Sequence, residues 1–497
     1  METNRGAVTP PIAFGGDPDA VTDHLRSERV ALDDAFVARL GSTCDTIDDP
    51  AAVADASRDW WPLAMHWARD NSVGVRGAIV ARPNTTAEVA AVLRLCNDAR
   101  VPVTAAAGRS GVLGASIPVH GGVVLDTTAL AGIRAVDTTS MLVDVLPGTF
   151  GDVFEDELRD GHGVTCGHWP QSIALSTVGG WLACRGAGQL SGKYGKIEDI
   201  VTGLDVVLAD GTEIHTGGAP RAAVGPDLTQ LFVGSEGTLG IITGARLRVH
   251  PAPEHSARAA YGFDTFTGAL DAMRRSVQRG AHPAVFRLYD STEAQRSYQT
   301  GERHVLLVLD EGDPVLVDAT LAIVARECAA AEVLDDALVE QWLGHRNDVS
   351  ALQALVSRDI VVDTMEVAAP WSALPAIYDD VRAAILGVEH ALVASAHQSH
   401  SYADGGCLYF TFAARPPIED KDACYRAMWN AGTRAVLARG GALSHHHGVG
   451  LNRARFVRDA LGEGFGVLRA TKQALDSNGI LNPGKLGLPS PWGEVGW

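Results

Sequence analysis

Three stretches almost free of large side chains interrupt the apolar segments between residues 105 and 242, and they limit the folds open to this chain more than any other feature. They are Ala105-Ala106-Ala107-Gly108-Arg109-Ser110-Gly111-Val112-Leu113-Gly114-Ala115-Ser116, then Pro170-Gln171-Ser172-Ile173-Ala174-Leu175-Ser176-Thr177-Val178-Gly179-Gly180-Trp181, then Val233-Gly234-Ser235-Glu236-Gly237-Thr238-Leu239-Gly240-Ile241-Ile242. Residues this small let a backbone approach a ligand closely but bury little apolar surface of their own, so a separate scaffold must carry them. Exposed amides in the first stretch suit an anion nest, and the hydroxyls of the others suit hydrogen bonds along a flat, extended, phosphate-bearing ligand. The glycine fingerprints of dinucleotide and nucleoside-triphosphate loops are both missing.

The scaffold reads as mixed α+β. Residues 78–80, 101–104, 122–126 and 141–146 read as strands bounded by turn residues, and residues 88–99 repeat apolar positions at helical spacing behind a Thr85-Thr86 cap. Residues 204–208 and 212–215, joined by Ala209-Asp210-Gly211, predict a hairpin. The step His250-Pro251-Ala252-Pro253 predicts a linker, since proline ends regular structure and lacks the donor a ladder needs. Beyond it, residues 265–279, 320–331 and 371–386 predict helices and residues 305–309 and 408–413 predict strands. Residues 422–439 predict a helix with Tyr425, Met428, Ala431, Ala435 and Ala438 on one face, closed by Gly440-Gly441. The expected division is an N-terminal segment at 1–68, a cofactor domain at 69–250, a cap domain at 251–439 and a closing segment at 440–497.

Composition narrows the partners. The chain has 497 residues, with 41 basic against 60 acidic, a net charge of −19 that argues against nucleic acid as a partner and against a broadly basic membrane-binding face. Seven cysteines without a Cys-x-x-Cys pair fit reduced thiols and a cytoplasmic location. The start Met1-Glu2-Thr3-Asn4-Arg5-Gly6 leads into no apolar signal segment. Peripheral membrane contact and a homodimer stay open.

The run Ser444-His445-His446-His447-Gly448 is costly for a core and suited to proton transfer and anion binding near neutral pH. In an extended segment side chains alternate faces, so His445 and His447 are expected to share a ligand while His446 points away. Zinc spacings are absent, and no metal site is expected.

Taken together, the three small-residue stretches, the segment Tyr194-Gly195-Lys196-Ile197-Glu198-Asp199 and the tail Asn478-Gly479-Ile480-Leu481-Asn482-Pro483-Gly484-Lys485 resemble the FAD-linked oxidases with a vanillyl-alcohol-oxidase or PCMH-type FAD domain. Ser176-Thr177-Val178-Gly179-Gly180-Trp181, Tyr402 through Tyr409-Phe410 and the histidine run most resemble the alkyldihydroxyacetonephosphate synthases of that family. The resemblance implies a two-subdomain FAD-binding domain with an α+β cap. It also implies noncovalent FAD and a small-molecule or lipid-phosphate substrate. FAD contacts are implied at Ala107, Gly108, Arg109, Ser110 and Gly111, at Gln171, Ser172, Ser176, Thr177, Gly179, Gly180, Arg185 and Ala187, and at Glu236, Gly237, Gly240, Ile241 and Ile242. It implies acid–base roles for Tyr409, His445, His446 and His447, and substrate contacts at Arg287 and Arg358.

The implied reaction exchanges the acyl group of acyl-dihydroxyacetone phosphate for a fatty alcohol without net oxidation. An FAD-linked oxidase or dehydrogenase of a 2-hydroxy acid is the alternative. The chain departs from the pattern at Ala107, Arg109 and Ser110, where relatives favour glycines and threonine, with Arg109 expected to bring charge to the pyrophosphate. Gln171 stands where the synthases carry aspartate.

Overall fold

A computed structural model describes residues 11–497; the first ten residues of the expected N-terminal segment lie outside the described residues. Two small sheets carry the glycine- and serine-rich loops. The first has four strands in the order Asp45–Ile47, Ile79–Arg82, Val123–Asp126, Val103–Ala106, the last three parallel. Its helix Thr86–Ala99 starts at Thr85, whose side chain accepts from the Glu88 amide, and packs Val89, Val92, Leu93 and Cys96 onto the sheet. The second sheet has five antiparallel strands: Glu213–Gly217, Val201–Val207, Ile241–Arg248, Leu142–Val145 and Ile133–Asp137. The first two form the hairpin read from Asp210-Gly211.

A seven-stranded antiparallel sheet follows, ordered Glu332–Leu334, His255–Phe263, His304–Gly312, Val285–Tyr289, Ala391–Ser401, Gly405–Ala414, Val361–Pro370. Strand side chains alternate, and this sheet uses both faces. Phe286, Leu288, Met365, Val367, Ala396, Leu408 and Phe410 pack with helices Phe266–Gln278, Leu374–Leu386 and Lys421–Ala438 into the largest core. The intervening Arg287, Thr364, His397, Tyr409 and Thr411 line a cavity on the opposite face.

Three expectations change. His250–Pro251 is no free linker, because it pairs with Val164–Thr165 as a separate two-stranded ladder. The helix expected at 320–331 is Pro314–Glu327, since Asp313 caps it through the Val315 and Leu316 amides and Pro314 suits the first helical position. In helix Lys421–Ala438 the buried stripe runs through Cys424, Tyr425, Met428, Trp429, Gly432 and Val436, which leaves Ala438 exposed, because two large aromatics set the packed face.

Candidate functional site

A cavity of about 780 Å³ runs between the small sheets and the open face of the cap sheet, within the usual range for cofactor pockets. All three small-residue loops line it. Every expected FAD contact borders it except Arg185, including Gln171, Ser172, Ser176, Thr177, Ala187, Ile241 and Ile242. No amide of Gly108, Arg109, Ser110 or Gly111 donates to another group among the described residues, so this loop keeps free donors for an anion. Gly180 and Gly237 both line the cavity, and a Cβ there would meet its nearest neighbours only at ordinary contact distance, 3.4 and 3.5 Å. Loops and space together fit a dinucleotide-sized flavin.

One charged contact is corrected. Arg185 ends helix Val178–Cys184 in the left-handed region, and its side chain turns outward to Glu198 at 3.3 Å and Gln230 at 3.2 Å. Arg109 borders the cavity as expected; its guanidinium is held by the Asp55 carboxylate at 3.1 Å and the Asp55 carbonyl, but Arg58 binds the same carboxylate at 2.7 Å, so one acidic group faces two guanidiniums.

The cap sheet supplies a second set. Tyr409, His397 and Glu366 occupy one row across three paired strands. The Tyr409 ring stacks on His397 at 4.7 Å and its hydroxyl donates to Thr364 at 3.0 Å. Burial, with the charges of Glu366 and Asp363 nearby, pushes this phenol well above its ordinary pKa, so it stays protonated. Arg287 donates to Nε2 of His397 at 2.6 Å, which leaves Nδ1 to donate to Glu293 at 2.8 Å. His397 is thus a neutral imidazole; burial and the Arg287 charge hold its pKa down near about 4.

Helix Lys421–Ala438 returns the chain to this row. The Ala442 amide donates to Ala368 at 2.7 Å, and the next residues curl around Glu366. That carboxylate accepts from the Ser444 hydroxyl at 2.8 Å and from the amides of His445, His446 and His447. Burial would raise its pKa, but the Arg453 charge and these donors bring it down to about 2. Gly448, at φ +81°, sits where a Cβ would meet Glu236 Oε1 at 2.4 Å, so only glycine closes this turn.

The turn overturns the expected alternation. His446 and His447 both line the cavity, and His445 faces away into a pocket with Tyr402, whose hydroxyl lies 2.8 Å from its Nε2. Burial lowers the pKa of all three, with His447 near about 4.

Arg358 does not reach this space: it lies on an exposed turn after helix Ser350–Val356. Arg346 lines the cavity instead. Its guanidinium lies 4.7 Å from the Trp169 ring and 5.9 Å from the Trp342 ring, and no carboxylate lies within ion-pair distance among the described residues. Burial, opposed by the Glu311 charge and helped by that of Arg159, brings its pKa down to about 10, still a cation at neutral pH. Sequence reasoning missed it because a loop arginine carries no local signal. It also missed His168, which borders the cavity buried with both ring nitrogens unpartnered. Glu366 left a signal, a charge beside the apolar run Val367-Ala368-Ala369, that could have been found.

Known proteins share this fold. Residues 77–217 match the FAD binding domain family, and residues 252–486 match the family described as FAD linked oxidases, C-terminal domain. The FAD-linked oxidoreductase YgcU of Escherichia coli O157:H7 is 31% identical over 432 residues, covering 82% of this chain and 88% of that one. An alkyldihydroxyacetonephosphate synthase of Dictyostelium discoideum is 29% identical over 451 residues, covering 82% of this chain and 73% of that protein. Among solved structures, an alkyldihydroxyacetonephosphate synthase superposes with a TM-score of 0.77 at 24% identity, over 96% of this chain and 89% of that one. A substrate-bound p-cresol methylhydroxylase gives 0.75 at 16% identity, over 93% and 99%.

Proposed function

This chain belongs to the FAD-linked oxidase family, and from that premise we propose that it exchanges the acyl group of an acyl-dihydroxyacetone phosphate for a fatty alcohol. The observation that carries this reading is the cation Arg346, unpaired in the same cavity as the protonated Tyr409 and the neutral His446 and His447. A guanidinium fork suits a phosphate. Trp60, Pro62, Met65, Val112, Leu175 and Leu352 line one end of the cavity and suit an alkyl chain.

The loops at 107–111, 171–180 and 235–242 would hold FAD, which when bound supplies an electron acceptor at the reacting carbon. The binding is noncovalent, so acid precipitation should leave the flavin in the supernatant. Tyr409 holds a proton for an oxygen of the substrate, and neutral His446 or His447 is free to take one from carbon or from the alcohol. His397, locked between Arg287 and Glu293, orients the Tyr409 ring from its other face. Incubating the holoenzyme with acyl-dihydroxyacetone phosphate and labelled fatty alcohol should give labelled ether product without oxygen uptake; no product would refute the reading.

A second reading, oxidation of a 2-hydroxy acid, is favoured by the 31% identity to an FAD-linked oxidoreductase and by the same Arg346, which suits a carboxylate equally. Bleaching of the flavin band by a 2-hydroxy acid would select it.

A further inference from the structure

Three successive cap residues, Arg346, Asn347 and Asp348, are tied to the flavin domain by five hydrogen bonds. Asn347 makes three of them: Oδ1 accepts from the Trp169 indole at 3.1 Å, and Nδ2 donates to the carbonyls of Pro170 at 3.2 Å and Gln171 at 2.9 Å. Gln171 Nε2 donates to the Asp348 carbonyl at 2.7 Å, and Gln189 Nε2 donates to the Arg346 carbonyl at 2.9 Å. Amides are what these positions need. A single Asn side chain offers an acceptor and two donors at a fixed spacing, so it reads an indole N–H and two backbone carbonyls at once, whereas a carboxylate at 171 would have no proton for Asp348. Gln189 satisfies a carbonyl at the end of helix Ala337–His345, where the helix itself supplies no donor.

The indole held by Asn347 is also the one the cation rests on. Trp169 is 2% exposed; its edge N–H goes to Asn347, while the Arg346 guanidinium lies over its ring at 4.7 Å. Two successive residues thus hold one buried ring by its edge and by its face. Pro170, Gln171, Gln189 and Arg346 all line the cavity, so the bonds run within its wall, from a loop expected to contact FAD to the one lining arginine without a carboxylate or hydrogen-bond partner among the described residues.

We propose that Asn347 is a positioning residue for anion recognition: with Gln171 and Gln189 it clasps the flavin loop to Arg346, so that cofactor and anion strengthen each other's binding. The proposal rests on the reading above that Arg346 takes the anionic group of the substrate. Contacts to the backbone of Pro170 and Gln171 fix Asn347 and, beside it, Arg346. An anion on Arg346 acts back along the same bonds, because coupling between two sites is reciprocal. Asn347 touches neither ligand itself; it acts through the arginine on one side and the loop on the other.

The test reads binding and needs no turnover. Dihydroxyacetone phosphate and glycolate, one for each reading above, are titrated into holoenzyme and followed by the flavin band. Asn347→Ala should raise the Kd of the anion that binds the parent about 10-fold. Gln171→Leu, on an exposed side chain, deletes only the bond to Asp348 and should raise it about 3-fold, which keeps the test open should Asn347→Ala release its flavin. A long-chain alcohol should bind parent and variants alike. In an Arg346→Met background, Asn347→Ala should weaken the anion no further, since it acts only through that cation. The bound anion should also slow flavin release on dilution of the parent, and Asn347→Ala should abolish that slowing. An anion Kd that rises with Arg346→Met but not with Asn347→Ala or Gln171→Leu would overturn the clasp and leave the anion reading standing, as would losses that simply add in the double variant. Binding of neither anion to the parent, or no effect of Arg346→Met, would overturn both.

Discussion

Arg453 grips Glu366 with both arms of its guanidinium, Nη2 to Oε2 at 2.9 Å and Nη1 to Oε1 at 3.1 Å, and both side chains are fully buried. One carboxylate thereby joins the edge strand of the cap sheet, Val361–Pro370, to the histidine turn and to the segment beyond it.

Glu366→Gln leaves the Arg453 charge buried without its partner, a change that typically costs about 3–5 kcal/mol. The expected result is a markedly lower thermal midpoint with early flavin release, read by flavin fluorescence during heating. A midpoint within a degree or two of the parent would contradict the role given to this pair. Its pH dependence follows from the sign of the shift: a carboxylate lowered to about 2 contributes stability above the ordinary Glu value, and that contribution is lost only as pH falls toward 2.

Tyr409→Phe removes one hydroxyl that bonds Thr364 and no other group among the described residues, so stability should change by about 1 kcal/mol. Turnover should fall about 100-fold or more if the phenol supplies a proton. Steady-state rates beside an unchanged flavin spectrum make the check. Near-parental turnover would remove Tyr409 from the chemistry.

Arg346→Met keeps the stem between Trp169 and Trp342 but deletes the fork. A lost charged hydrogen bond is worth about 1.5–3 kcal/mol, so KM for an anionic substrate should rise about 10- to 100-fold. Uncharged analogues should bind the two proteins alike. Equal losses for both ligand types would point to packing instead.

The histidines set an acid limit. A histidine whose folded pKa is depressed gives stability that is present above its unfolded value near 6.5 and lost as pH falls, because the unfolded chain then binds more protons. With His447 near about 4 and His445 and His446 also lowered, unfolding free energy should drop between about pH 6.5 and 4. The kcat/KM profile should show no histidine ionisation between about pH 6 and 8. Denaturant titrations across that range measure the first, and initial rates the second; a bell centred near pH 6.5 would mean the rings are not buried as described.

Much of the scaffold was legible locally. Thr85 before an apolar helix, Asp210-Gly211 between strands, and the glycine-rich loops each act through their own backbone, so the hairpin, the helix Thr86–Ala99 and the cofactor loops could be read without knowing their neighbours. The histidine turn was misread for the opposite reason. Alternation along a strand is a local rule, and a distant Glu366 overrides it by drawing three successive amides onto one carboxylate. Arg109 and Arg346 divide the same way: both are loop arginines in sequence, yet a carboxylate, Asp55, holds the first while two indoles flank the second. The sequence by itself determined the loops that take a flavin and the residue types that meet it, because backbone freedom and side-chain chemistry are properties of the residue. Which charges stay free, which imidazoles face the cavity and which hydroxyls join them was decided only by tertiary structure, because burial and hydrogen-bond partners come from segments far apart along the chain.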